Sequence, residues 1–128
     1  MVTSQVRPVR LVVVDPDPAV RDSIQAMAHT TRDLQIVAIA TSGEELIRLL
    51  DHVTPDVVVL GTRLPGMSAF AATRELGQRS GGPAIILLAT SPDEEEHGRA
   101  AGAVRVIPKD ASRQALLAAI RAVVSPPL

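Results

Sequence analysis

The residues of this chain with the means to do chemistry sit directly after short apolar runs. Asp15, Pro16 and Asp17 follow Val9–Val14, and Gly61 and Thr62 follow Val57–Leu60. Ala89 and Thr90 follow Ala84–Leu88, and Lys109 and Asp110 follow Val104–Ile107. Short β-branched and aliphatic runs closed by turn residues read as strands buried on both faces, as in a parallel sheet. In an open parallel sheet the carboxyl ends of the strands share one rim, where ligands collect. A lysine on that rim, facing acids from the first loop, is a usable site for a metal ion or a phosphoryl group. Gly61 stands at the centre of the rim, where a reacting side chain is expected, and carries none.

The elements that position these residues follow from local signals. Asp17-Pro18 reads as an N-cap followed by proline at the first helical position, and Val20, Ile24 and Met27 continue at helical spacing to about His29. Leu34–Ala40 is a second strand. Ser42 and Glu45 fit a capping box ahead of the stripe Leu46, Leu49, Leu50 and Val53, with Glu44 and Arg48 able to pair on the outer side. Ser68 caps a third helix that turns Phe70, Thr73 and Leu76 inward. Ser91, Pro92 and Glu94 give the start of a fourth helix, whose apolar content is only alanine and whose Gly98 costs about 1 kcal/mol relative to alanine. Ser112 opens a last helix with Leu116, Ile120 and Val123 as its inner stripe and Leu117 and Val124 beside it. Five strands alternating with five helices on short loops, joined by right-handed crossovers, make a doubly wound α/β parallel sheet. The expected organisation is a disordered tail over residues 1–8, one domain over 9–124, and a tail or linker start over 125–128.

Composition narrows the function classes. The chain has 128 residues, 46% of them hydrophobic, which is enough for one packed domain. The formal net charge of -1 gives no support to direct nucleic-acid or membrane-surface binding. With no cysteine there is no disulfide or thiol catalysis, and no apolar run is long enough for a leader or a membrane span. A cytoplasmic protein is expected. Phe70 is the single aromatic residue, which argues against base stacking. Neither G-x-G-x-x-G nor a G-x-S-x-G nucleophile elbow is present, and no catalytic constellation emerges, so an enzyme is not expected.

Several pieces, in order and at the right spacing, resemble one family. They are Leu11–Asp15 with Pro18–Arg21, Pro55–Met67, Ala101-Gly102-Ala103, and Pro108-Lys109-Asp110-Ala111-Ser112. Together they resemble the receiver domain of bacterial two-component response regulators, from about Val9 to Val124. The stretch from Lys109 to Arg121 is most similar to regulators of the NarL/LuxR type. The resemblance implies a flavodoxin-like five-stranded sheet of order 2-1-3-4-5. It also implies a site, and this chain departs from it. The family's phosphoacceptor aspartate falls at Gly61, and its magnesium-holding acid pair falls at Asp15 and Pro16. Its hydroxyl residue after strand four falls at Ala89, next to Thr90, and its aromatic switch residue falls at Val106. Asp15 and Lys109 remain.

The chemical consequences follow from the residue types. Accepting a phosphoryl group needs a nucleophilic oxygen in line with the donor, and Gly61 offers none. Magnesium prefers near-octahedral oxygen ligation with one or two carboxylates, so Asp15 alone is a weak remnant and metal binding is expected to be weak or absent. Asp17 reads as the cap before Pro18 rather than as a displaced metal ligand. Thr62, a neutral hydroxyl without a base, is a poor substitute acceptor. Lys109 fits two roles, pairing with Asp15 or binding an anionic ligand. His29, His52 and His97 read as solvated. The expected function is a phosphorylation-independent receiver acting in signal transduction or transcriptional regulation through protein contacts. Its partners would include a DNA-binding domain beyond this chain and a second copy through the last helix. The alternative is a small-molecule sensor with an anionic ligand at the vacated site.

Overall fold

Val57–Leu60 cannot be satisfied on a half-exposed sheet, because every side chain in the run is apolar. The structure, a computed structural model describing residues 7–124, buries the whole of β3 (Val57–Gly61) at the centre of a parallel sheet. Among the described residues the order is β1 (Val9–Val14), α1 (Pro18–His29), β2 (Leu34–Ala40), α2 (Gly43–Leu49), β3, α3 (Ala69–Gly77), β4 (Ala84–Ala89), α4 (Pro92–Ala101), β5 (Arg105–Pro108) and α5 (Arg113–Val124). The sheet runs β2-β1-β3-β4-β5, as expected. All pairings are parallel, with Val14 beside Leu60, Gly61 beside Leu88 and Ala89 beside Pro108. That register brings the ends of β1, β3, β4 and β5 to one rim.

Alternate residues of each strand feed two cores. Leu11, Val13, Val57, Val59, Ile86 and Leu88 pack against Ile24 of α1 and Leu116 and Ile120 of α5. Val12, Val14, Val58, Leu60 and Leu87 pack against Leu46 of α2 and Ala69 and Leu76 of α3. Both faces of the three central strands are dry, which is why their sequences show no alternation. Of the expected tail over residues 1–8, only Arg7 and Pro8 are described, and Arg7 pairs with Asp56 at 3.0 Å. The expected tail over 125–128 lies outside the described residues. No described helix is long and apolar enough to cross a membrane.

Several local expectations shift. In α3 the buried positions are Ala69, Ala72, Thr73 and Leu76, and Phe70 is only half-buried. With Ser68 as N-cap the inward stripe starts at Ala69, so Phe70 falls one position to the side and meets the ring of His97 at a centroid distance of 6.0 Å. The α2 helix ends at Leu49, so Leu50 caps it and Val53 follows in the turn, both still packed against the core. Glu44 does not pair with Arg48. Its carboxylate instead accepts the N–H of Met67 at 3.0 Å, tying α2 to the β3–α3 loop. β5 begins at Arg105, leaving Val104 outside it and 52% exposed.

A closed site and an open cleft at the carboxyl rim

Asp15 is the buried acid of the rim, 1% exposed. Its backbone is fixed by the sheet, with its N–H donating to Ala40 O at 3.1 Å. Its Oδ1 accepts the N–H of Asp17 at 2.9 Å. Arg21, one turn into α1, donates to the Asp15 carbonyl at 2.9 Å. From the other side of the sheet Lys109 brings its ammonium to 3.4 Å from Oδ1 and 3.3 Å from Oδ2. Oδ2 thus has charge contact with Lys109 but receives no directed hydrogen bond. Of the two roles open to Lys109 on sequence, the geometry contains the pairing with Asp15.

Gly61 explains where that carboxylate goes. A β-carbon at position 61 would overlap Asp15 Oδ2 and lie 3.0 Å from its Cγ. The space a side chain would take is therefore filled by the Asp15 carboxylate. This packing requires that residue 61 have no side chain, a contact that neither stretch of sequence reveals alone. Asp17 does what its position before Pro18 implies: its carboxylate accepts the Ala19 N–H at 2.9 Å and it stands exposed as the cap of α1. Pro16 is exposed and has no side-chain ligand to offer. Among the described residues no three acidic or histidine side chains gather in a way that could hold a metal ion.

A second polar group ties the next two loops together, and sequence reasoning missed it. Glu94 Oε1 accepts the Thr62 hydroxyl at 2.8 Å, the Thr90 N–H at 2.7 Å and the Thr90 hydroxyl at 3.0 Å. Arg63 Nε donates to Thr90 Oγ1 at 3.0 Å. Burial raises the Glu94 carboxyl pKa, but the hydrogen bonds from Thr90 and Thr62 and the charge of Arg63 outweigh it and hold it below the ordinary value. The cap of α4 differs from the one expected. Ser91 makes no side-chain cap bond, and Glu94 reaches past it to Thr90. The same Glu-to-loop reach occurs at α2, where Glu45 accepts the Thr41 N–H at 2.6 Å while Ser42 does cap the helix. That parallel was the available signal: Thr-Ser-x-x-Glu opens both helices.

Beyond Thr90 the rim opens. A cavity of about 570 Å³ lies between the β4–α4 turn and the end of β5, with Ala89, Val106 and Lys109 in its lining but neither Asp15 nor Gly61. The α4 helix comes closest to the sheet at Gly98, where a β-carbon would sit 2.7 Å from Leu87 Cδ1 and 2.9 Å from Val106 Cγ2. The buried positions of α4 are Gly98 and Ala101. This small-residue seam is why the helix packs well despite lacking large apolar residues. His97 is exposed as expected.

Of the sequence-predicted rim residues, the fold brings Asp15, Gly61 and Lys109 into one closed contact. Ala89, Thr90 and Val106 fall around the neighbouring cleft, and Pro16 and Asp17 face outward. The chain is 30% identical over 105 residues to protein-glutamate methylesterase/protein-glutamine glutaminase 1 of Syntrophus aciditrophicus, covering 79% of this chain and 30% of that protein. It is 27% identical over 93 residues to the nitrate/nitrite response regulator protein NarL of Escherichia coli K12, covering 73% of this chain and 43% of that one. It thus spans less than half the length of either relative. The response regulator domain of Thermotoga maritima CheB superimposes with a TM-score of 0.83 at 22% identity, covering 94% of this chain and 100% of that one. Residues 11–121 match the response regulator receiver domain, and the five-stranded sheet runs 2-1-3-4-5, so the chain belongs to the response regulator receiver domain family.

Proposed function

We propose that this receiver works without aspartyl phosphorylation and transmits its signal through protein–protein contacts. One observation carries the reading: the position above Gly61 has no nucleophile and is filled by Asp15, itself held by Lys109. A donor phosphoryl group would meet a buried carboxylate in place of an in-line acceptor. The donor set is also unsuited to magnesium. Asp15 is the one buried acid among the described residues, Pro16 has no side-chain ligand atom, Asp17 is spent on a helix cap, and the Lys109 ammonium competes for the same carboxylate. We expect the receiver to act in transcriptional regulation, in the cytoplasm, through an output domain on a longer polypeptide or a separate adaptor partner. An anionic ligand centred on Gly61 would have to displace Asp15 and overcome its charge, so the protein-contact reading is preferred.

The test is direct. The protein is incubated with a small phosphodonor and magnesium, and its intact mass is measured. No change in mass is expected. A stable gain of one phosphoryl group, mapped to any residue of the rim, would overturn the reading.

A further inference from the structure

We propose that the cleft between the β4–α4 turn and β5 is a binding site for a small amphipathic amine with an apolar body. Its volume of about 570 Å³ falls within the span of small-molecule sites, about 300–1,000 Å³. Ala89, Pro92, Val106, Ile107 and Pro108 supply apolar walls. The α4 helix is pressed onto the sheet at Gly98, so its first turn, with Pro92 and Glu95, becomes the far wall. The floor is fixed by strand pairing: Ala89 lies opposite Pro108, and the Lys109 N–H donates to Ala89 O at 2.7 Å. Prolines on both walls restrict the backbone further. The backbone that frames the cleft is therefore held in place.

Charge selects the ligand. The Lys109 ammonium is engaged by Asp15, and Glu95 is engaged by Arg99 at 2.8 Å. Asp110 is exposed at the mouth and makes no ion pair among the described residues. Asp93, Glu94 and Glu95 occupy the first turn of α4. Glu94 is met by Arg63 and Glu95 by Arg99, so Asp110 is the lining acid left without an ion pair among the described residues, and it disfavours an anion and draws in a protonated amine. Ser91, half-buried in the lining and free of a capping bond, offers a hydroxyl to a polar group on the ligand. The site lies beside Gly61 rather than over it, so the proposal is independent of whether the receiver is phosphorylated.

The chain has no tryptophan or tyrosine, so indole emission reports on an added ligand without background. The test titrates the whole chain with tryptamine and with indole-3-acetate, which carry the same ring and opposite charge, and maps amide shifts. Tryptamine is expected to bind saturably, with shifts centred on Ala89, Ser91, Val106 and Ile107. Indole-3-acetate should bind roughly tenfold more weakly, the effect of one uncompensated charge near the surface. Val106→Phe fills the cleft and should abolish tryptamine binding. Because filling could disturb the fold, Asp110→Asn serves as the second variant: it changes only an exposed charge and should weaken tryptamine several-fold while leaving indole-3-acetate unchanged or tighter. The proposal is overturned by non-saturable tryptamine binding, by shifts centred elsewhere, or by indole-3-acetate binding as tightly as tryptamine. Binding that survives in a folded Val106→Phe, or is unaffected by Asp110→Asn, also overturns it.

Discussion

The two halves of the carboxyl rim both carry small residues, yet one half is sealed and the other is open. At the β1–β3 side, Gly61 leaves room and Asp15 fills it. At the β4–β5 side, Ala89 and Val106 leave room and a cleft remains. The difference lies in the neighbours. Asp15 has a mobile carboxylate and an electrostatic reason to lean across the strand, since Lys109 waits on the far side. Around the cleft the walls are largely prolines, strand backbone and a helix braced at Gly98, and the long side chains among them, Glu95 and Lys109, are engaged by Arg99 and Asp15. A missing side chain makes a cavity only where no adjacent group gains by occupying it.

Five single variants and one double variant can break or sharpen this contrast. The largest effect is expected from Asp15→Ala, which removes one member of a pair with a buried acid and leaves Lys109 uncompensated. Breaking such pairs costs about 3–5 kcal/mol, and the partial exposure of Lys109, 24%, places this one near the lower end, read by chemical denaturation. Gly61→Ala should cost about 1–3 kcal/mol by overpacking. The decisive version is the double variant. With Asp15→Ala in place, the nearest remaining atom of that residue is its β-carbon at 3.6 Å, ordinary contact, so Gly61→Ala should then cost almost nothing. Simple additivity of the two changes would mean that Asp15 is not what fills the space.

On the open side Gly98→Ala tests the brace. Alanine would gain about 1 kcal/mol of helix propensity, but its methyl would collide with the fully buried Leu87 and the β-branched Val106. A net loss of about 1–2 kcal/mol is expected. A stabilised protein would show that α4 is free to lift, and the cleft would then be no fixed feature.

Glu94→Gln should cost about 1 kcal/mol, a charge-assisted set reduced to a neutral one. The pH dependence has a definite sign. The folded pKa of Glu94 is depressed, so its contribution is complete above the unfolded value of about 4.3 and is lost as pH falls through the lower folded value. Thermal melts below that pH should converge between the wild type and Glu94→Gln. Curves that stay parallel would remove Glu94 from the account of how the two loops are joined. The smallest effect on stability is expected from Ala118→Glu. Ala115, Ala118 and Ala122 are exposed on α5, away from buried Leu116, Ala119 and Ile120, and we place any homodimer on that face. The change should leave the melting curve in place and lower the mass measured by sedimentation. An oligomer that persists would assign the contact to another face.

Much of the fold was legible because local signals and burial agree. Val57–Leu60 is apolar at every position because both faces are covered, and Asp17-Pro18, Ser42, Ser68 and Ser112 start helices because their oxygens accept first-turn amides. The placement of Asp15, Gly61 and Lys109 on one rim also followed from sequence, since strand ends in a parallel sheet must share an edge. What the sequence by itself determined was therefore the frame and the absence of a nucleophile at position 61. Only the tertiary structure decided the rest. It put the Asp15 carboxylate over Gly61, took Glu44 from Arg48 to Met67, and joined Thr62 and Arg63 to Glu94 and Thr90. The physical reason is the same in each case. A charged side chain chooses among several partners within reach, and that choice depends on distances across loops that no spacing along the chain encodes.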